Sequence, residues 1–509
     1  MRNNKQNAIN LRHKFLSVIC LIIFVVICSV SNVSGENSTN SLFVENPVIK
    51  VDPTLQSDMV LQQNALFHIT GEGSVAQEVQ IKCSWEGESL VAITDAVGKW
   101  SVNVNTPSAT NTPQTISATA GTTTVSFTNI LIGEVWLCGG QSNMKWKLKD
   151  CTGGALEVSN ANYPDIRVLS MKRYQSDSKT NDFDAKWTAC TPASIDTFSA
   201  IGYFFGKMLY QKLKVPIGLI NANEGGTPIE IWMERNWIDQ DPEMVSYAKI
   251  HNTSWGGNGY QVAGGFYNTM IYPLRNMPIA GAIWYQGESN WVYPYVYEKY
   301  LKTMVDGWRN LWGNQFAFHI CMIAPYIRGA NYPTNYANPA MRFVQAKTFS
   351  QIENSGITVN DDLVEDVTQI HPRNKKPVGA RLAWLALSKT YKQSYYDNWL
   401  CPVYEGYTIS ENKLTVHFNP VSGGLKTNDC NPPSLFEICG SDKIFYPAET
   451  VIRGSSVELT NANVPIPVAA RMGWSYTKVT NLRSVHGFPV SVFRTYDWTD
   501  ESEEQTTTP

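Results

Sequence analysis

The sequence predicts an α/β body set between two all-β modules, and three observations carry that prediction. From residue 46 to 129, short runs such as Val79 to Trp85 and Trp100 to Val104 alternate apolar with polar residues and are broken by Gly, Pro, Asn and Thr clusters. That is the pattern of half-buried strands joined by turns, and it reads as a β-sandwich. Between residues 130 and 396 continuous apolar runs take turns with helical stretches, as expected of a mostly parallel sheet covered by helices. After residue 396 the alternation returns, in Lys413 to Phe418 and Ser456 to Leu459, and lasts to about Trp498.

Taken in order, residues 1–35 carry Arg2, Lys5, Arg12 and Lys14, then an apolar run from Phe15 to Val30, then small polar residues. This is the order of a secretory signal peptide. An uncleaved anchor is the competing reading, but a run of about 16 residues is short for a bilayer. The chain is therefore expected to be exported, into an extracellular, periplasmic or lysosomal space according to its host, with no stable membrane insertion once the signal is gone. Residues 46–129 form the first β module. In the body, 130–396, the expected strands are Glu134 to Cys138, Val215 to Ala222, Ile279 to Tyr285, Phe316 to Ile323 and Gly356 to Val359. Phe198, Ile201, Phe205, Met208, Leu209 and Leu213 recur at helical spacing and form one buried stripe. Residues 397–498 make the second β module. The tail, 499–509, is acidic and polar with nothing to bury, and is expected to be disordered.

Composition narrows the function. Hydrophobic residues make up 43% of the 509 and charged residues 17%, which suits a folded protein. The net charge of −3 and the lack of a Lys/Arg stripe give no footprint for nucleic acid. Of ten cysteines two fall in the leading segment, and the eight that remain permit disulfides in an exported chain. Cys151 with Cys190 and Cys401 with Cys430 are the expected pairs by nearness, whereas Cys138 and Cys321, in apolar runs, read as buried thiols. Asn37 and Asn252 are glycosylation acceptors in a host that glycosylates. Nothing in the sequence speaks to oligomeric state.

The chemistry concentrates at a few turns. In Val135-Trp-Leu-Cys-Gly-Gly-Gln-Ser-Asn-Met144 an apolar strand runs into two glycines and a serine. Ser142 thereby stands on a tight strand-to-helix turn at the carboxyl edge of a parallel sheet, where open α/β folds bind ligands. Met144 occupies the last glycine position of the Gly-x-Ser-x-Gly elbow, so that motif is absent. A serine nucleophile needs a base, usually histidine. His68, His417 and His486 fall in the β modules, His13 in the signal, and His319 inside an apolar strand. His251 lies in a Gly-rich aromatic region with nothing to fix its orientation. His371, in a loop after the last sheet strand, is on the edge where Ser142 emerges.

Two further turns, Asn223-Glu-Gly-Gly-Thr227 and Gln286-Gly-Glu-Ser-Asn290, end central strands on that same edge. They offer the Gly226 N–H and the side-chain amide of Gln286 or Asn290 to a developing oxyanion. No His-x-x-x-His or Cys-x-x-Cys spacing suggests a metal, and no phosphate-binding glycine loop is present, so no cofactor is expected. Glu224 and Glu288 could serve as the paired carboxylates of a glycosidase, but that reading leaves Ser142 and His371 unexplained.

With these residues in view, the chain resembles the sialate O-acetylesterase family of SGNH-type hydrolases, whose blocks supply Ser, Gly, Asn and His. Gly-Gln-Ser-Asn-Met at 140–144, Gly-Gly-Thr at 225–227, Trp-Tyr-Gln-Gly-Glu-Ser-Asn at 284–290 and Ile-His-Pro-Arg-Asn-Lys at 370–375 fit its pattern. Flanking segments at 59–63, 436–438 and 487–495 extend the likeness over nearly the whole mature chain. The resemblance implies a three-layer αβα domain and metal-free hydrolysis of acetyl esters on sialic acids or related sugars and glycans. Ser142 would attack the acetyl carbonyl and His371 would shuttle its proton. The Ser142 N–H, the Gly226 N–H and the Gln286 amide would hold the oxyanion, with Asn290 as the alternative third donor.

One departure stands out. Many relatives place an aspartate three residues before the histidine, where this chain has Thr368. Asp366 is then the expected orienting group, with Asp362 a further acid upstream, and a Ser-His dyad oriented by backbone carbonyls is the other outcome. An acetylxylan or other glycan esterase is the alternative substrate reading. A carbohydrate-binding protein with an inactive esterase domain is the alternative from another class, and the intact Ser142 and His371 argue against it.

Overall fold

The computed structural model describes residues 49–181, 183–254, 262–327 and 337–498, without the side chains of 250–254 and 337. The expected signal segment, the tail and the side chain of His251 lie outside these residues. Eight strands open the chain: β1 (Ile49–Val51), β2 (Val60–Gln62), β3 (Leu66–Gly73), β4 (Glu78–Cys83), β5 (Leu90–Ile93), β6 (Lys99–Asn105), β7 (Thr110–Ala120) and β8 (Thr123–Gly140). An antiparallel sheet β1-β3-β6 accompanies the antiparallel run β5-β4-β7-β8. The alternation read from the sequence is the burial pattern of β4, where Val79, Ile81 and Cys83 are buried and their neighbours exposed.

β8 joins the first module to the body. Its first half pairs antiparallel with β7, and its second half lies parallel to β11 (Ile217–Asn223) and β12 (Gly281–Tyr285). The expected boundary between residues 129 and 130 falls inside this one strand. What changes there is burial. Residues 123–129 are partly or fully exposed, whereas every residue from Ile130 to Gly140 is buried, because only the second half has both sheet faces covered.

The body sheet runs β10-β9-β11-β8-β12-β13-β14, with β9 (Tyr163–Ser170), β10 (Thr188–Cys190), β13 (Ala317–Cys321) and β14 (Ser355–Thr358). Its neighbours pair in parallel except the antiparallel edge strand β10. β9 and β10 were not expected from the sequence. β9 reads Tyr-Pro-Asp-Ile-Arg-Val-Leu-Ser, and its Pro, Asp and Arg hide the apolar signal. The buried Arg167 is satisfied instead by the Pro164 and Asp58 carbonyls, at 2.7 and 2.9 Å.

Helices cover both faces. After the short α1 (Ser142–Lys145) come α2 (Ala200–Leu213), α3 (Pro242–Ser254), α4 (Pro294–Trp312), α5 (Ala337–Phe349) and α6 (Lys376–Lys389). α2 starts where the Ser199 hydroxyl accepts from the Gly202 N–H at 3.0 Å, an N-cap that satisfies one of the helix's orphan donors. Trp136 of β8 meets Phe205 of α2 edge-on at 5.0 Å, while Trp284 of β12 meets Trp308 of α4 at 5.7 Å. Trp284 pairs in register with Gly139, three residues on from Trp136, so the two indoles leave opposite faces of the sheet. Each buried ring contributes on the order of 3 kcal/mol.

The chain closes with β15 (Val403–Ser410), β16 (Lys413–Asn419), β17 (Leu425–Thr427), β18 (Phe436–Cys439), β19 (Tyr446–Pro447), β20 (Glu449–Arg453), β21 (Ser456–Thr460), β22 (Ala469–Met472), β23 (Leu482–Ser484) and β24 (Phe493–Arg494). They pair antiparallel as β15-β16-β21-β20, β17-β23 and β19-β18-β22-β24 around an apolar core that includes Leu414, Val416, Phe418, Val457 and Leu459. The eight described cysteines are all free thiols. The expected pairs are therefore corrected: Cys151, Cys190, Cys401 and Cys430 are each free. Cys138 and Cys321 are the buried thiols they were read as. Among the described residues no helix is long and apolar enough to cross a membrane.

Candidate active site

Because β8, β11, β12 and β14 run parallel, the segments that follow them all emerge at one edge of the sheet. The first is the turn into α1. Gly140 has φ +132°, and a Cβ there would run into the Tyr285 carbonyl, so only glycine lets β8 pass this close to β12. The Gln141 N–H donates to that same carbonyl at 2.9 Å, and Ser142 follows as the first residue of α1. The loop after β14 brings in His371, the expected base. His371 Nε2 lies 2.8 Å from Ser142 Oγ, a hydrogen bond between residues 229 positions apart.

Asn143 holds this pair in register. It is fully buried, and its Nδ2 donates to Glu288 Oε1 at 2.5 Å and to the Ile370 carbonyl at 3.1 Å. Its Oδ1 accepts from Lys375 Nζ at 2.6 Å. Asn143 follows Ser142 and Ile370 precedes His371, so one amide ties the neighbour of the nucleophile to the neighbour of the base. An ammonium on one side and a carboxyl on the other fix which way that amide points. Gln141 makes a second tie, its Oε1 accepting from the Ser289 N–H at 3.1 Å and from Gln286 Nε2 at 3.2 Å. A third comes from Arg373, whose guanidinium donates to the Asp150 carbonyl at 3.1 Å while its own carbonyl accepts from the Thr152 N–H at 3.0 Å.

The electrostatics favour a neutral imidazole. Burial holds the His371 pKa below the usual histidine range, and the positive charge of Lys375 adds to the effect. The face of Trp146 lies beside the ring, with centroids 5.2 Å apart. Burial pushes the Lys375 ammonium down to about 8. Burial likewise raises the Glu288 carboxyl above its ordinary range, against the lowering effect of its hydrogen bond from Asn143. Asn143, Trp146 and Lys375 carry no role in the sequence reading, and Glu288 entered it only as a possible glycosidase acid. Asn143 and Lys375 lie within two of the motifs that marked the site, which was the available signal.

Other expectations are corrected. Asp366 does not orient His371: it is exposed, and its Oδ1 accepts from the N–H and the hydroxyl of Thr368 at 2.8 and 2.7 Å. A short carboxylate readily turns back on the backbone two residues on. Among the described residues no carboxylate is hydrogen-bonded to His371. Gln286 does not present its amide to an oxyanion, because Nε2 faces three acceptors: Asn290 Oδ1 at 2.7 Å, the Thr227 carbonyl at 3.1 Å and Gln141 Oε1. Asn290 is committed too, its Nδ2 donating to Glu230 Oε2 at 3.0 Å. Both amides brace the turns beneath the site.

The turn after β11 does lie against the nucleophile. Gly226 has φ +71°, and a Cβ on Gly225 would stand 3.6 Å from that of Ser142. The Ser142 N–H, in the first turn of α1, has no acceptor within its helix. Glu224 is held at the rim by Lys145 at 2.5 Å and Arg173 at 3.1 Å, and Glu288 is held below by Asn143, so the two acids do not act as a facing pair. His319 is a buried core residue against Thr390, at 2.9 Å. Among the described residues no group of three or more His, Cys, Asp or Glu side chains could hold a metal ion.

A serine hydroxyl hydrogen-bonded to an imidazole at the carboxyl edge of a mostly parallel sheet is the arrangement that serine hydrolases use. Comparison with known proteins gives the family. A family model described as carbohydrate esterase, sialic acid-specific acetylesterase, matches residues 132–387, and the chain belongs to that family of carboxylic ester hydrolases. It is 29% identical over 363 residues to the human sialate O-acetylesterase, covering 64% of this chain and 68% of that protein. It is 29% identical over 312 residues to the mouse sialate O-acetylesterase, where the match spans 51% of this chain and 57% of the relative's length. A crystal structure of a carbohydrate acetylesterase from Xanthomonas citri is similar to it with a TM-score of 0.79 and 29% identity, over 89% of this chain and all of that one.

Proposed function

We propose that this protein is a serine esterase that removes O-acetyl groups from sialic acid or a related carbohydrate, through an SGNH-type domain carried between two β modules. The observation that carries the reading is the 2.8 Å hydrogen bond between His371 Nε2 and Ser142 Oγ, in a chain of this family. Ser142 Oγ attacks the acetyl carbonyl carbon, and its proton passes to His371 Nε2. The Ser142 N–H stabilises the oxyanion, and the flanking turn supplies Gly226 as the second expected donor. The imidazolium then returns the proton to the leaving sugar oxygen, and the same ring activates the water that releases acetate. With no carboxylate among the described residues on the other ring nitrogen, the pair acts as a Ser-His dyad rather than a triad. The names of the relatives favour an acetylated sialic acid over xylan.

The test is hydrolysis of an aryl acetate and of a panel of acetylated sugars by the purified protein. Wild type turns over, and Ser142→Ala lowers kcat by several orders of magnitude while the fold persists. Equal inertness of wild type and variant on every acetyl ester, with sugar binding retained, overturns the reading in favour of a binding protein. We also propose that the chain is exported, on the strength of residues 1–35. N-terminal sequencing of the mature protein checks it, and a retained Met1 argues against it.

A further inference from the structure

The site contains a buried cation that the proposed reaction does not use. Lys375 is 1% exposed, and its ammonium is hydrogen-bonded to Asn143 Oδ1 at 2.6 Å. The faces of Tyr285 and Trp146 lie 5.7 and 5.9 Å from Nζ. A bare ammonium is costly to bury, and a carbonyl oxygen with two aromatic faces replaces only part of its hydration. Such a group is retained where its charge or its reach matters. Here both lead to the dyad: Asn143 bridges Lys375 to the Ile370 carbonyl and to Glu288, and Trp146, which Lys375 faces, also flanks His371.

We propose that Lys375 is a positioning residue that stands in place of the missing acid of a triad, clamping the nucleophile turn to the base loop through Asn143. This inference rests on the esterase reading above. In a Ser-His-Asp triad the carboxylate orients the ring and favours the imidazolium. In this chain position 368 is threonine, Asp366 is turned away, and a cation stands on the same loop as the base. Orientation then comes from the Asn143 to Ile370 tie and from the face of Trp146, and the charge works in the opposite sense: it disfavours the imidazolium. The dyad keeps an unprotonated base into mildly acidic solution, where a carboxylate-assisted histidine would already be protonated.

The other groups around the pair do not cancel this field. Glu288, from the turn after β12, reaches Lys375 only through Asn143, and burial favours its neutral form. Cys321 at the end of β13 and Cys151 near α1 are thiols kept protonated by burial. Arg373, on the base loop, turns to the Asp150 carbonyl. Lys145 and Arg173 at the rim are both paired with Glu224.

The test is the pH profile of aryl-acetate hydrolysis by wild type, Lys375→Met and Lys375→Arg, with thermal melts of each. Lys375→Met fits the space without the charge. Its acid limb is expected to move to higher pH and its plateau kcat to fall about tenfold as a charge-assisted hydrogen bond is lost, while its thermal melt shows that it still folds. Lys375→Arg keeps the charge and is expected to keep the wild-type limb. An unshifted limb and unchanged kcat in Lys375→Met overturn the proposal. If that variant does not fold, Lys375→Gln, which keeps a donor for Asn143 without the charge, decides by NMR titration of the His371 ring: a midpoint above that of wild type supports the proposal and an unchanged one overturns it. The titration needs no turnover, and Ser142→Ala tests the esterase reading separately.

Discussion

Replacing Asn143 with leucine tests the geometry of the site in a single substitution. The two side chains share a branched shape and the same number of heavy atoms, leucine being the bulkier, so at this fully buried position the hydrogen bonds are lost and a small overpacking cost is added. Three bonds go: to Glu288 Oε1, to the Ile370 carbonyl and from Lys375 Nζ. Each buried group left unpaired costs about 1–3 kcal/mol, and more when it is charged. Three such losses sum to about 3–9 kcal/mol, and the expected destabilisation is the lower part of that range, about 3–5 kcal/mol, which is what stripping one partner from a buried charged group costs. The catalytic loss has a separate origin. With no tie between the neighbours of Ser142 and His371, the base loop is free to shift, and a displacement of about 1 Å costs roughly 100-fold in rate. Urea denaturation reads the first effect and kcat/KM on an aryl acetate the second. An Asn143→Leu protein within about threefold of wild-type activity, with a stability loss under about 1 kcal/mol, refutes the reasoning.

Further outcomes follow from the same structure. Asp366→Ala is expected to leave kcat/KM within about twofold, since the carboxylate serves only Thr368; a 100-fold loss would restore Asp366 as the orienting acid. His319 supplies an acid-stability signature. Burial, with Lys389 adding to it, pushes its pKa down to about 3, so below about pH 6.5 the unfolded chain takes up a proton that the native state refuses. Its contribution to stability is complete at neutral pH and is lost as pH falls toward 3, with a slope of up to about 1.4 kcal/mol per pH unit. His319→Phe is expected to flatten that slope between pH 6 and 4 in urea titrations, and an identical slope in the variant argues against the assignment.

Much of the fold was legible because burial follows the sequence pattern. The strands at 134–138, 279–285 and 356–359 were read from continuous apolar runs, and the structure covers both of their faces. β9 escaped because a buried arginine and an aspartate interrupt its apolar run, and the Pro164 and Asp58 carbonyls that make Arg167 tolerable cannot be seen along the chain. The expected disulfides are likewise absent among the described residues, because spacing in sequence does not report whether two sulfurs reach bonding geometry.

The sequence by itself determined where five of the body's strands lie, the glycines that let β8 turn beside Tyr285, and the serine and histidine that meet beyond it. These are local properties, set by side-chain period and by backbone conformations only certain residues adopt. The tertiary structure decided which polar groups are committed to one another. Gln286 and Asn290, donors on paper, spend their amides on Thr227 and Glu230, and Asp366 turns its Oδ1 back on Thr368. Lys375 and Asn143, silent as letters, meet across 232 positions. A hydrogen bond has direction and a reach of about 3 Å, so its partner is fixed only when distant segments are packed together.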